Sequence, residues 1–259
     1  MPSLILPNGE QTPVTEWGQG PLLICIHGLG GGAYWFERLG EALKDSHRVV
    51  ALDLPGSGAT PGKQPFSFDR AAEVISQLAE HYSQPATLLG HSMGTIIALK
   101  TYARSPEQVK AMIFVGGLPE ALPEAKERLK KRAQVIRREG MAASARAMIP
   151  FLVCGDFQRR EPEQVAEITR RVSENNAEDY ARTAEALTEA SATDVVPHVK
   201  VPCLAITGSD DAYGPPEAVR AFASTFPQET PYHEIATSGH LPFLEHPTTF
   251  AHTLASHLK

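Results

Sequence analysis

Short, continuous apolar runs recur along the first half of the chain, and each one ends at a turn-forming or polar residue. They occupy residues 22–26, 49–54, 86–89 and 110–115. Uninterrupted apolar runs of this kind are typical of strands that are buried on both faces, as in parallel sheets. Segments of helix-forming composition separate them, over about 33–44, 70–82 and 95–104. The alternation predicts an α/β fold with a mostly parallel central sheet flanked by helices.

The alternation stops after residue 118 and resumes near residue 201. Between Pro119 and about Ser191 the sequence is rich in alanine, glutamate and arginine, and no buried strand pattern is visible. Prolines and glycines divide this stretch into segments of helical composition. We therefore expect one α/β core, residues 1–118 and 192–259, that carries a helical insertion over residues 119–191.

Further elements are predicted near the two ends of the chain. Residues 3–18 are expected to form a short hairpin with its turn at Pro7-Asn8-Gly9. Asp69 is expected to cap the helix over 70–82, because a carboxylate can accept hydrogen bonds from the first free N–H groups of a helix. The late elements are strands over 201–207 and 232–236, and helices that begin at Pro215 or Pro216 and at Pro247.

Composition narrows the class of protein. The chain has 259 residues, 42% of them hydrophobic, and a formal net charge of −6, so it is long enough to bury a sizeable core. No long basic run favours nucleic acid, and no stretch approaches the ~18 apolar residues that a membrane span needs. Because the start also lacks the pattern of a signal peptide, we expect a cytoplasmic protein with no membrane partner.

Three cysteines, Cys25, Cys154 and Cys203, cannot all pair with one another. Cys25 and Cys203 fall in predicted strands, so reduced structural thiols are the simplest interpretation. No cysteine and histidine cluster has metal-ligand spacing, and we expect no metal site. The glycines at 30–32 lack the Lys-Ser/Thr pair of a phosphate-binding loop.

A tight turn, Gly90-His91-Ser92-Met93-Gly94, joins the apolar run 86–89 to the helix-forming run 95–104. A serine at such a turn must adopt a strained backbone conformation so that its hydroxyl projects above the sheet. Gly90 and Gly94 omit the side chains that would collide where strand and helix close tightly. The helix N-terminus then directs its free N–H groups toward whatever the serine attacks.

Three more loops follow predicted strands, where active groups of parallel sheets collect. They contain His27-Gly28-Leu29-Gly30, Asp210-Asp211 and Gly239-His240. The order Ser92, Asp211, His240 along the chain is the order of the catalytic residues in α/β hydrolases.

The chain resembles α/β hydrolases over nearly its whole length. The resemblance rests on five motifs in order: 27–30, 53–58, 90–94, 208–211 and 239–247. The stretch 141–143 and the tail around His240 are similar to the branch of 3-oxoadipate enol-lactonases and small carboxylesterases. That branch usually has a tryptophan where this chain has 149–153 and an arginine where it has Leu54-Pro55. These departures argue against an enol-lactone as the substrate. They leave the hydrolytic motifs of the branch unchanged.

The resemblance implies a role for five residues. Ser92 is the nucleophile, His240 is the general base and then the general acid, and Asp211 orients the imidazole. The backbone N–H groups of Leu29 and Met93 form the oxyanion hole. In this fold a helical cap covers the serine, and residues 119–191 would be that cap.

The implied activity is hydrolysis of a small carboxylic ester or lactone through an acyl-enzyme, without a cofactor. One alternative is the hydrolysis of an enol-lactone or a C–C bond in the breakdown of aromatic compounds. Another is a ligand-binding member of the fold that catalyses no reaction.

The sequence is compatible with either a monomer or a homodimer. Candidate pocket residues are His27, Gly28, His91, Met148, Phe151 and Leu241.

Several site assignments have competitors in the sequence. Asp210 is adjacent to Asp211, and only one of the two can face His240. Glu120 is the carboxylate nearest to the other acid position of this fold. The residues competing with His240 are His233, His246 and His252. Asp53 and His27 are also expected to support their own loops.

Overall fold

An eight-stranded sheet forms the centre of the protein, with the strand order β1-β2-β4-β3-β5-β6-β7-β8. The computed structural model describes residues 3–5, 11–58, 60, 62 and 65–255. The strands are β1 (Ser3–Ile5), β2 (Gln11–Trp17), β3 (Leu22–Ile26), β4 (Arg48–Leu52), β5 (Ala86–His91), β6 (Val109–Val115), β7 (Cys203–Gly208) and β8 (Tyr232–Ile235). From β4 to β8 every neighbouring pair is parallel, whereas β2 runs antiparallel to both β1 and β4. The predicted α/β fold with its mostly parallel sheet is therefore confirmed.

Helices connect these strands and pack against one another beside the sheet, α1 on α11 and α2 on α3. The helices are α1 (Glu37–Leu43), α2 (Phe68–His81), α3 (Gly94–Arg104), α4 (Pro123–Glu139), α5 (Met141–Leu152), α6 (Gly155–Arg160), α7 (Pro162–Ser173), α8 (Ala177–Glu189), α9 (Pro216–Ala223), α10 (Pro242–Glu245) and α11 (Pro247–Ala255). Strands β3, β5 and β7 are buried along their whole length, as continuous apolar runs require.

Helices α4 to α8 all lie between β6 and β7, in the stretch predicted to be helical. The chain leaves the sheet and returns to it at one place, where Glu120 and Ser191 form a β-bridge. The Ala192 N–H also donates to the Pro119 carbonyl at 2.8 Å. Within the insertion, Arg137 of α4 pairs with Glu178 and Glu185 of α8. The division of the chain into a core and a cap, as units of their own, stays a prediction.

Two details differ from the sequence-based expectations. Helix α2 is capped by Ser67 and not by Asp69, because Ser67 has the extended backbone that a cap needs and accepts from the Arg70 N–H at 3.3 Å. Asp69 lies in the first turn and binds Lys100 at 2.8 Å. The short helix α10 was not expected. Strands β1 and β2 form the predicted hairpin pair, but its turn at 7–9 lies outside the described residues.

All three cysteines are free and buried, and burial raises the pKa of the Cys203 thiol to about 12. Among the described residues, no three His, Cys, Asp or Glu side chains are grouped so that they could hold a metal ion. Across the same part of the chain, no helix combines the length and the apolar character needed to cross a bilayer.

Candidate active site

Ser92 occupies the sharp turn between β5 and α3, in the conformation that the sequence predicts. Its φ of 53° lies in the left-handed region, which non-glycine residues rarely adopt. A Cβ atom on Gly90 would lie 2.5 Å from the Gly94 carbonyl oxygen, and one on Gly94 would lie 2.4 Å from that of Ile26. Both positions therefore exclude side chains, and the strain at Ser92 is held by the closely packed backbone around it.

Near Ser92, some backbone N–H groups donate a hydrogen bond, and others have no acceptor among the described residues. The Ser92 N–H itself donates to the Val115 carbonyl at 2.8 Å, which ties the turn to β6. The N–H groups of Leu29 and Met93 have no acceptor among the described residues. Leu29 and Met93 both line the cavity that contains Ser92. Two unpaired donors beside a serine are what an oxyanion hole requires.

His240 and Asp211 form a buried pair. The Nδ1 atom of His240 lies 2.9 and 2.8 Å from the two carboxylate oxygens of Asp211. With the proton on Nδ1, the neutral ring keeps Nε2 as an acceptor. His240 also lines the cavity that Ser92 lines. A histidine in this tautomer is able to take a proton from a serine hydroxyl.

Asp211 is held in place by three hydrogen bonds besides the one to His240. Its Oδ1 accepts from the Tyr213 and Gly214 N–H groups at 2.9 and 2.8 Å. Its Oδ2 accepts from the Thr207 hydroxyl at 3.1 Å. The neighbouring Asp210 is exposed and accepts from the Ser209 hydroxyl at 3.3 Å. The structure thus brings Asp211, and not Asp210, to the imidazole.

The competing residues lie elsewhere. Glu120 lines the cavity but is exposed, and its backbone closes the insertion. The His246 Nε2 lies 2.9 Å from the Thr237 carbonyl oxygen. His233 is exposed on the edge strand β8, and His252 is exposed on α11. None of these three histidines lines the Ser92 cavity.

Two of the six predicted pocket residues, His91 and Met148, line the cavity, and the other four do not. The two predicted oxyanion residues, Leu29 and Met93, also line it. The residues outside the lining are His27, Gly28, Phe151 and Leu241. Phe151 is half exposed, and Leu241 is buried in the core. Asp53, which was expected to support its own loop, accepts from the Ala33 N–H at 2.8 Å and so contacts the end of the glycine-rich loop after β3.

Glu245 is a buried carboxylate that the sequence did not single out. It accepts from the Gly239 N–H at 2.9 Å and from the Cys154 N–H at 2.8 Å. It also accepts from the Leu241 N–H at 3.3 Å. Glu245 therefore joins the loop that carries His240 to the start of α6 in the insertion. The available signal was its position inside the motif 239–247.

Glu245→Ala is expected to lower the free energy of unfolding by about 3 kcal/mol or more, because the buried N–H groups of Cys154, Gly239 and Leu241 lose their charged acceptor. Urea denaturation followed by circular dichroism measures this change. Glu229→Ala, which removes an exposed carboxylate from a loop, is the control and should change stability by less than about 0.5 kcal/mol. Equal stability of the two variants would contradict the anchoring role of Glu245.

Two further histidines beside the site are fully buried and kept neutral. His27 donates from Nδ1 to the Gly28 carbonyl at 2.7 Å and accepts at Nε2 from the Leu54 N–H at 3.0 Å. Burial lowers the pKa of His27. His91 donates from Nε2 to the His240 carbonyl at 2.9 Å. Burial, followed by the charge of nearby His240, lowers the pKa of His91 well below 6.5.

The free energy of unfolding is therefore expected to fall as the pH drops below about 6.5. Below that pH His27 and His91 bind protons in the unfolded chain but stay neutral in the native protein. For each neutral histidine the loss steepens below that value and approaches about 1.4 kcal/mol per pH unit. Urea denaturation at pH 7.5, 6.5 and 5.5 measures the slope, and His91→Asn should reduce it by about half. His252→Asn, at an exposed position, should leave the slope unchanged. A wild-type stability that stays flat over this range is the contrary result.

Known proteins resemble this chain along nearly its whole length. A family model described as the alpha/beta hydrolase fold matches residues 21–247. The pimeloyl-[acyl-carrier protein] methyl ester esterase of Chromobacterium violaceum is 30% identical over 253 residues, which cover 95% of this chain and 97% of the relative. The enol-lactonase from Burkholderia xenovorans has a TM-score of 0.90 at 25% identity and coverage of 99% on both sides.

A thermophilic esterase from Thermogutta terrifontis is a second close structural match, with a TM-score of 0.89 at 27% identity. The superposition covers 99% of this chain and 97% of the esterase. Esterases and an enol-lactonase among the matches confirm the predicted resemblance to that branch. Since the family model spans most of the chain and the sheet has the expected topology, the chain belongs to the family of the α/β-hydrolase fold.

Proposed function

We infer that the protein is a serine hydrolase that cleaves a small carboxylic ester or lactone through an acyl-enzyme on Ser92. The observation that carries this inference is the shared cavity: Ser92, in its strained turn, and His240, bound to Asp211, both line it. A serine hydroxyl is a weak nucleophile by itself, so a base in the same cavity is the feature that makes acyl transfer possible.

The reaction follows from the groups in place. The Nε2 atom of His240 takes the hydroxyl proton as the Ser92 oxygen attacks the carbonyl carbon. The negative charge that develops on the carbonyl oxygen is stabilised by the N–H groups of Leu29 and Met93, each contributing on the order of 3 kcal/mol. His240 then returns the proton to the leaving alcohol oxygen, and the acyl group remains on Ser92. Water, activated by the same histidine, releases the acid.

The relatives support this reaction class. One is an esterase of a methyl ester and another is an enol-lactonase, and both names describe the opening of an ester bond. A lactone is a cyclic ester, so the same serine and histidine would serve either substrate. Membership of a family that contains such hydrolases favours an enzyme over the ligand-binding alternative.

Hydrolysis of p-nitrophenyl acetate and butyrate tests the proposal. We expect release of nitrophenol by the wild-type protein, and a fluorophosphonate probe should add to the peptide that contains Ser92. Mass spectrometry of the digested protein locates the adduct. No hydrolysis of either ester together with no adduct on Ser92 would overturn the proposal and favour a ligand-binding protein.

A further inference from the structure

Arg132 is a cation on the wall of the Ser92 cavity that no carboxylate neutralises. It belongs to α4 and is only partly exposed. Its hydrogen-bond partners are two neutral phenols: the Tyr213 hydroxyl lies 3.0 Å from one terminal nitrogen and the Tyr180 hydroxyl 3.5 Å from the other. Among the described residues, none of the ion pairs involves Arg132. A guanidinium has five N–H donors, so most of them are left for another acceptor.

The lack of a carboxylate partner sets Arg132 apart from its neighbour on the same helix. Arg137, which follows later on α4, pairs with both Glu178 and Glu185 of α8. Glutamates are therefore available within the insertion, but they are not directed toward Arg132. Within the described part of the cavity lining, Glu120 is the one carboxylate, and it is exposed to solvent.

The surroundings of Arg132 make an unpaired charge costly. Much of the cavity lining consists of apolar side chains, including Leu122, Leu129, Met148 and Leu187. A charge beside such groups loses hydration and is stabilised only when an opposite charge or further acceptors replace the lost water. An anionic group on the bound molecule would supply the missing partner, and it would make two charge-assisted hydrogen bonds with the flat guanidinium.

Tyr213 fixes the position of Arg132 relative to the reacting groups. The guanidinium carbon lies 5.2 Å from the centre of the Tyr213 ring. The same ring lies edge-on to the His240 ring, with 5.2 Å between the two centres. The Tyr213 ring therefore contacts both the Arg132 guanidinium and the ring of His240, the proposed general base. A substrate whose ester carbonyl meets Ser92 would reach Arg132 with a group a few carbon atoms away.

We propose that the preferred substrate carries a free carboxylate, bound by Arg132, in addition to the ester or lactone bond that is cleaved. A monoester of a short dicarboxylic acid is the simplest molecule of this class. The described lining contains two arginines, and Arg128 is exposed whereas Arg132 is partly buried, so a single carboxylate matches Arg132. The inference rests on the proposed ester hydrolysis and adds the chemical class of the substrate to it.

Two methyl esters of equal length test the substrate class: monomethyl adipate, which ends in a carboxylate, and its primary amide, which is neutral and nearly the same shape. The wild-type kcat/KM is expected to favour the carboxylate by about 10-fold or more, as hydrogen bonds to charged groups imply. Arg132→Gln should bring this ratio close to one, mainly by raising KM for the carboxylate. Arg132→Lys keeps the charge and should retain part of the preference.

Arg146→Gln is the matched control, since Arg146 is an exposed arginine of α5 outside the cavity lining and has no ion pair among the described residues. It should leave the ratio unchanged. A wild type without preference overturns the substrate class. So does a loss in Arg132→Gln that is equal for both esters, because a merely structural role would lower both together.

Binding distinguishes this inference from the proposed function. If neither these two esters nor the p-nitrophenyl esters were hydrolysed and no adduct formed on Ser92, the proposed hydrolysis would fail, but calorimetry of monomethyl adipate with Ser92→Ala would still test the carboxylate site. Adding Arg132→Gln to that variant should weaken binding about 10-fold or more. Equal affinity of the single and double variants would overturn the role of Arg132.

Discussion

Ser92→Ala is expected to lower kcat for p-nitrophenyl butyrate by a factor on the order of 10⁶, because the proposed nucleophile and its proton are lost together. The proposed oxyanion donors and the cavity would remain, so a small residual rate over water should persist. Steady-state kinetics, with single turnovers at high enzyme concentration, measures both rates. The change removes one oxygen atom and should leave the fold intact.

Ser224→Ala is the control for this experiment, since Ser224 is an exposed serine at the end of α9. It should retain full activity, and both variants should melt at the wild-type temperature. If the Ser92→Ala protein keeps more than a few per cent of the wild-type kcat, Ser92 is not the nucleophile.

Asp211→Asn is expected to lower kcat by about 10⁴-fold, as removal of the orienting acid does in known serine triads. Oδ1 must stay an oxygen, since it accepts from the Tyr213 and Gly214 N–H groups. The amide NH₂ would then take the place of Oδ2 and donate toward His240 Nδ1. The imidazole proton would move to Nε2, where the ring can no longer accept from Ser92.

The adjacent Asp210→Asn makes this test specific, because the two substitutions are chemically identical. Asp210 is exposed and has no contact with His240, so its variant should stay within about two-fold of the wild-type kcat. Kinetics of both variants with p-nitrophenyl butyrate decides between them. A large loss in Asp210→Asn with little change in Asp211→Asn would reverse the assignment of the acid.

Local sequence determined the features that were predicted well. The strands could be predicted because burial on both faces requires continuous apolar runs, as in β3 and β5. The conformation of Ser92 could be predicted because Gly90 and Gly94 are the only residue type that fits the contacts measured around them. Each of these inferences needs nothing beyond a few neighbouring residues.

The cavity wall could not be predicted in the same way. Phe151 stands in an apolar run yet is half exposed, whereas Arg132 stands in a charged run yet lines the cavity. Which face of a helix meets the serine depends on how the helices of the insertion pack together, and that packing involves residues far apart in sequence. Asp69 and Ser67 show the same limit on a smaller scale, because the backbone direction at residue 67 makes Ser67, and not Asp69, the cap of α2.

The β-bridge between Glu120 and Ser191 has a consequence for the folding chain. Strands β6 and β7 are neighbours in the sheet but are separated in sequence by five helices. Closing so long a loop costs entropy that grows with the logarithm of its length. Helices form mostly local contacts and do so quickly. Once these helices have packed and the bridge has joined their ends, the loop left to close is short, which favours folding of the insertion before β7 pairs with β6.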